Sequence, residues 1–131
     1  MTNLVVDIYS FGFSYSGIPP DDSGNHGGFV FDCRFIPNPG RLPEYADLTG
    51  RDRAVIDYLE NFPAVDQFFQ HVVSIVEMAI ENFQARGFDH LMVSFGCTGG
   101  QHRSVYFAER LFSYLLSKKI QARIHHIEQS F

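Results

Sequence analysis

Thr98-Gly99-Gly100-Gln101-His102-Arg103-Ser104 gathers two hydroxyls, an imidazole and a guanidinium around a glycine pair. The glycines let the backbone take positive φ and bring a ligand close to the main chain. Arg103 offers a planar fork of donors matched to phosphate oxygens, and Thr98, His102 and Ser104 add hydrogen-bonding groups. Together they suit an anion pocket. The stretch is not a Walker A loop, because no Lys-Ser/Thr follows the glycines, nor a dinucleotide fingerprint, because the G-x-G-x-x-G spacing is absent. A bare strand-to-helix turn is the blander alternative, but a cation in the first helical turn opposes the helix dipole, and so many polar groups favour a ligand site.

Cys97 immediately precedes this stretch and opens a second chemistry. Cys97 and Arg103 stand in the C-x5-R-S/T spacing of cysteine-dependent phosphatases. In those loops, N–H groups and the arginine hold phosphate and lower the thiol pKa, so that a thiolate attacks phosphorus. Gly96 occupies the position where many such enzymes carry His, and no acid loop is evident to protonate the leaving group. Asp66 falls in the first turn of a predicted helix and Asp89 at the wrong end of its strand. Catalysis by Cys97 and Arg103 therefore stands as the alternative to ligand binding, and the primary reading assigns no catalytic residue.

These residues need a strand to deliver them and a helix to receive them. His90 to Phe95 is an apolar run that reads as a buried strand, and Val105, Ala108, Leu111, Phe112, Leu115 and Leu116 recur at helical spacing after the loop, closed by Lys118 and Lys119. Leu4 to Tyr9 is β-branched enough for a central strand. The passage from Ser10 to Pro19, with Ser10, Gly12 and Tyr15, would wall the pocket. Asp21, Asp22 and His26 read as a solvated tip and not as metal ligands, having no spaced partner set. Gly28 to Cys33 predicts another strand, and the proline-broken turn after it puts Arg34 and Asn38 at a strand end, where open α/β sheets place ligand contacts. Helices are predicted over 51–60 and over 63–86, the second opened by Pro63, stopped by Gly87 and carrying an apolar stripe from Val65 to Phe83. An alternating last strand covers 120–127. The order predicts one three-layer α/β domain over residues 1–131 with a mostly parallel or mixed sheet.

Fifteen acids against ten Lys and Arg give a formal charge of −5, which disfavours nonspecific nucleic-acid or membrane binding. The segment Met1-Thr2-Asn3-Leu4 lacks a basic leader pattern and no apolar run has the length of a membrane span, so a cytoplasmic location is expected. Cys33 and Cys97 are too few for a disulfide framework. No metal or cofactor is implied.

The chain resembles the C-terminal domain of the RapZ family of bacterial RNase adapter proteins. The resemblance rests on Ser10-Phe11-Gly12-Phe13, Gly17-Ile18-Pro19, Phe31-Asp32-Cys33-Arg34-Phe35-Ile36-Pro37-Asn38-Pro39, Leu48-Thr49-Gly50-Arg51-Asp52 and Gly96 to Val105, in that order. It implies a fold related to a sugar-phosphate-binding subdomain of phosphofructokinase, self-association as a homodimer, and a pocket for glucosamine-6-phosphate or another small anion such as phosphate or sulfate. By motif, Thr98, Gly99, Gly100, His102 and Arg103 would hold the phosphate, with Arg34 and Asn38 nearby. The family also binds small RNA and presents it to a ribonuclease. Here residues 123–131 are nearly without cations, which makes RNA a doubtful partner, and the family's P-loop half has no counterpart in the sequence, so nucleotide binding is not carried over. The protein partner stays unnamed.

Overall fold

A computed structural model describes residues 3–131. Four strands, β1 (Val5–Gly12), β2 (Phe29–Asp32), β3 (His90–Cys97) and β4 (Gln121–His126), form one all-parallel sheet in the order β2-β3-β1-β4. Three helices, α1 (Arg53–Glu60), α2 (Pro63–Ala85) and α3 (Arg103–Ser117), complete a single α/β domain. Parallel strands need crossovers, and α1–α2 and α3 supply those between β2 and β3 and between β3 and β4.

Side-chain alternation divides the sheet into two faces. Val6 and Ile8 of β1 and Leu91, Val93 and Phe95 of β3 are buried in one cluster with Val65, Phe69, Val72, Val76 and Ile80 of α2 and Phe107, Leu111 and Leu115 of α3. Each such side chain contributes about 1.5–3 kcal/mol by leaving water. The opposite face is covered in part by the long loop over 13–28, which leaves a cleft between Asp21 to Ser23 and Val5, Asp7 and Tyr9 of β1. Phe13 packs edge-on against Phe11 at 4.8 Å, and Asn25 Nδ2 donates to the His90 carbonyl at 3.3 Å. Helices, sheet and loop thus form three layers.

On the loop-covered face, Asp7 of β1 is 4% exposed and accepts from three side chains on the neighbouring strands. Arg123 donates through Nε and Nη2 at 2.8 and 2.7 Å, and the Nε2 atoms of His125 and His90 each lie 2.9 Å away. Burial alone would raise the Asp7 pKa, but these hydrogen bonds outweigh it and hold the carboxyl well below its ordinary range.

Element limits differ from the sequence expectation where pairing or capping decides them. β1 runs on to Gly12, placing Ser10 inside the strand, because β3 extends to Cys97 and offers partners up to the pair Gly12 and Cys97. α3 ends at Ser117, and Lys118 and Lys119 form the cap, with Lys119 at φ 61°. Among the described residues no helix is long and apolar enough to cross a membrane.

Candidate functional site

The C-terminal ends of β1, β2 and β3 share one edge of the sheet, and the loop from Thr98 to His102 rises there before α3. Gly100 takes φ 69°, turning the chain into the helix. A Cβ on Gly12 would sit 2.7 Å from the Gly99 carbonyl carbon, and one on Gly100 would sit 2.7 Å from Gly12 N, so two glycine backbones pack directly together. Phe13 N donates to the Cys97 carbonyl at 2.8 Å and Ser14 N to that of Thr98 at 3.1 Å, laying the turn after β1 along the loop.

The result is a cavity of about 460 Å³ lined by Thr98, Gly99, Gln101, His102 and Arg103, with Ser14, Tyr15, Asn38, Gly40, Ala46 and Cys97. Arg103 dominates its electrostatics. The residue is 4% exposed, yet among the described residues no carboxylate lies within ion-pair distance of it. Its Nη1 donates to the carbonyls of Arg34 and Ile36, both at 2.9 Å, which fixes the guanidinium. Nη2 reaches only Thr98 Oγ1 at 3.4 Å, and buried Nε has no partner among the described residues. Burying a charge is costly unless it is paired, so this site favours an incoming anion.

His102 donates Nε2–H to the Tyr45 carbonyl at 2.9 Å, since a carbonyl can only accept. Nδ1 then donates to an anion only when the ring is protonated. Cys97 and Ser104 lie deeper. The Cys97 thiol donates to Ser104 Oγ at 3.1 Å, and Ser104 N approaches Cys97 Sγ at 3.4 Å. Burial pushes the neighbouring Cys33 thiol well up from its ordinary pKa.

Residues 4–130 match the family profile of the RapZ C-terminal domain. The chain belongs to the RapZ C-terminal domain family. It is 46% identical over 106 residues to a nucleotide-binding protein of Thermotoga sp. (strain RQ2), covering 81% of this chain and 36% of that protein. It is 40% identical over 125 residues to a nucleotide-binding protein of Clostridium kluyveri, covering 95% of this chain and 41% of that protein. The chain thus spans under half the length of these two relatives.

The residues singled out from sequence separate into two groups. Thr98, Gly99, His102 and Arg103 line the cavity with Asn38 and Tyr15. Gly12, Gly100 and Ser104 lie behind it as packing and bracing positions. Arg34 gives its guanidinium to Asp32 through Nε and Nη2 at 2.9 and 2.8 Å, stacks 3.9 Å above the Phe13 ring, and contributes its backbone carbonyl to Arg103. It borders a neighbouring cavity that also touches Asn38 and Arg103. Ser10 is fully buried and hydrogen-bonds His126 Nδ1, whose Nε2 donates to Glu109 at 2.7 Å. That Ser-His-Glu chain has the composition of a nucleophilic triad, but Ser10 has no access to a substrate.

Sequence reasoning missed Gln101, Glu128 and Gln129. Gln101 Nε2 donates to the carbonyls of Ala46 and Leu48 at 2.8 and 2.7 Å, and Gln129 Nε2 to that of Gly100 at 3.2 Å. Gln101 was visible only as a polar residue in the loop, and neither Glu128 nor Gln129 belongs to a motif.

Proposed function

We propose that this domain binds a small phosphorylated ligand, a sugar phosphate of the glucosamine-6-phosphate kind, and acts as a regulatory adapter in the cytoplasm. The observation that carries the reading is the buried, carbonyl-braced Arg103, which has no carboxylate partner among the described residues, set beside loop glycines and a helix N-terminus. Thr98 and the loop amides take the remaining phosphate oxygens. Tyr15, 74% exposed at the rim, and Ser14 and Asn38 face the sugar. The bound state is relayed by contact with a protein partner or a second copy of the chain, and the acidic balance of the domain disfavours RNA as a direct ligand.

A second reading, phosphatase chemistry at Cys97, is favoured by the Ser104 backbone N–H, which donates to Cys97 Sγ at 3.4 Å from the first turn of α3. Against it, no Asp or Glu is among the residues lining the cavity, so a leaving group finds no acid there.

Thermal-shift titration with glucosamine-6-phosphate, glucose-6-phosphate, free glucosamine and inorganic phosphate tests the proposal. A ligand at a hundred times its Kd stabilises the fold by about 2.7 kcal/mol. The sugar phosphates should raise Tm most and free glucosamine not at all. No shift with any phosphorylated compound would overturn the reading.

A further inference from the structure

Glu128, two residues beyond β4, reaches back across the sheet edge to the turn that roofs the cavity. Its Oε2 accepts from the amides of Gly12 and Ser16, both at 3.0 Å, and its Oε1 accepts from Ser16 Oγ at 2.9 Å. The segment carrying it is anchored on either side. Ile127 N donates to the Ser10 carbonyl at 2.9 Å, and Gln129 Nε2 holds the Gly100 carbonyl. Between the two amides taken by Glu128 the chain makes a closed turn, in which Tyr15 N and Gly17 N both donate to the Gly12 carbonyl at 3.1 and 3.0 Å, with Gly17 at φ 73°. Ser14 and Tyr15 sit at the apex of that turn and line the cavity. The Tyr15 ring lies 3.8 Å from where a Gly99 Cβ would be.

Among the described residues the carboxylate's hydrogen bonds all go to this turn, while its Cγ lies against Gly100, 2.5 Å from where a Cβ there would sit. We infer that Glu128 is a positioning residue that sets ligand selectivity: it holds Ser14 and Tyr15 over the loop, so the cavity distinguishes a sugar phosphate from bare phosphate. The inference rests on the anion-site reading above and adds to it a residue from the far end of the chain. Charge-assisted acceptance of two amides and a hydroxyl by one carboxylate is strong enough to hold a loop in a single geometry. Ordering Tyr15 beforehand removes a cost that the ligand would otherwise meet.

The test compares affinities for glucose-6-phosphate and inorganic phosphate by calorimetry on the native chain, Glu128→Ala, Glu128→Gln, Ser16→Ala and Tyr15→Ala. Glu128→Ala should lower the ratio of the two affinities about tenfold, toward the value for Tyr15→Ala, while phosphate binding stays within about twofold. Glu128→Gln and Ser16→Ala should move the ratio the same way by less, and they keep the test open should Glu128→Ala not fold. A ratio unchanged in these variants despite a lower Tm, or an equal loss for both ligands, would make Glu128 merely structural and overturn the inference. If the native chain binds neither ligand, the anion-site reading fails and the selectivity role falls with it. Native binding of both compounds with an unmoved ratio sinks the role of Glu128 alone.

Discussion

Nη1 of Arg103 donates to the carbonyl oxygen of Ile36 at 2.9 Å, tying the start of α3 to the turn that follows β2. The same nitrogen serves Arg34, so a single guanidinium both closes the site and supplies its charge. Arg103→Lys keeps the charge but cannot hold two carbonyls and an anion in one plane. It should weaken phosphate binding by about 1.5–3 kcal/mol, the range for a hydrogen bond to a charged group, read by calorimetry. Leaving buried carbonyls unpaired should also cost about 1–3 kcal/mol of stability, read by urea unfolding.

Gly12→Ala places a Cβ 2.7 Å from the Gly99 backbone, and no flexible side chain is there to yield. The loop must shift, with an expected loss of about 1–3 kcal/mol in stability together with lost anion binding. Gly87→Ala is the control. Gly87 has φ 72° with open space around it, so alanine should cost about 1–2 kcal/mol from backbone strain alone and leave affinity unchanged.

Acid should unfold the domain partly through Asp7. Its folded-state pKa lies below the ordinary 3.8, so the network stabilises the fold above that pH and the contribution is lost as pH falls toward the folded value. Unfolding measured from pH 7 down to about pH 2 should show an acid limb that is shallower in Asp7→Asn, with lower stability at neutral pH. Arg123 is 63% exposed at its side chain and rehydrates in that variant, which limits the neutral-pH loss.

Thiol chemistry separates the two readings of the loop. Cys33 is fully buried with its pKa pushed up, so it should resist alkylation in the folded state and react only on unfolding. Cys97→Ser should retain anion binding, and the native protein should not turn over p-nitrophenyl phosphate. Turnover that Cys97→Ser abolishes would instead establish the phosphatase reading.

The elements with local signatures were legible in the sequence. Pro63, the apolar stripe and Gly87 delimit α2 within a residue, because helix caps and periodicity are short-range properties. Parallel strands are expected where helices separate β2, β3 and β4, but β1 and β2 are joined by the loop over 13–28 without a helix, which leaves a mixed sheet open as an alternative. The grouping of Thr98, His102 and Arg103 at one cavity follows from a strand that must end in a loop. Glu128 could not be read the same way, since its partners Gly12 and Ser16 lie 116 and 112 residues away and a lone glutamate after a strand carries no pattern. Arg34 shows the opposite difficulty. Its position at a strand end suggested a ligand contact, but Asp32 two residues earlier offers a bidentate partner that no motif announces.

The placement of β1 between β3 and β4 bears on how the domain is made. β1 precedes the other three strands in the sequence, yet one of its flanks is filled by residues 121–126, and Asp7 finds Arg123 only across 116 positions. A chain emerging from the ribosome therefore carries its central strand with an open edge until the last strand appears. Such distant pairing is slow and exposes unpaired backbone to other chains. The domain should fold only once residues 121–126 have emerged, and a chain stopped before residue 121 should aggregate even though the loop from Thr98 to His102 has been made in full.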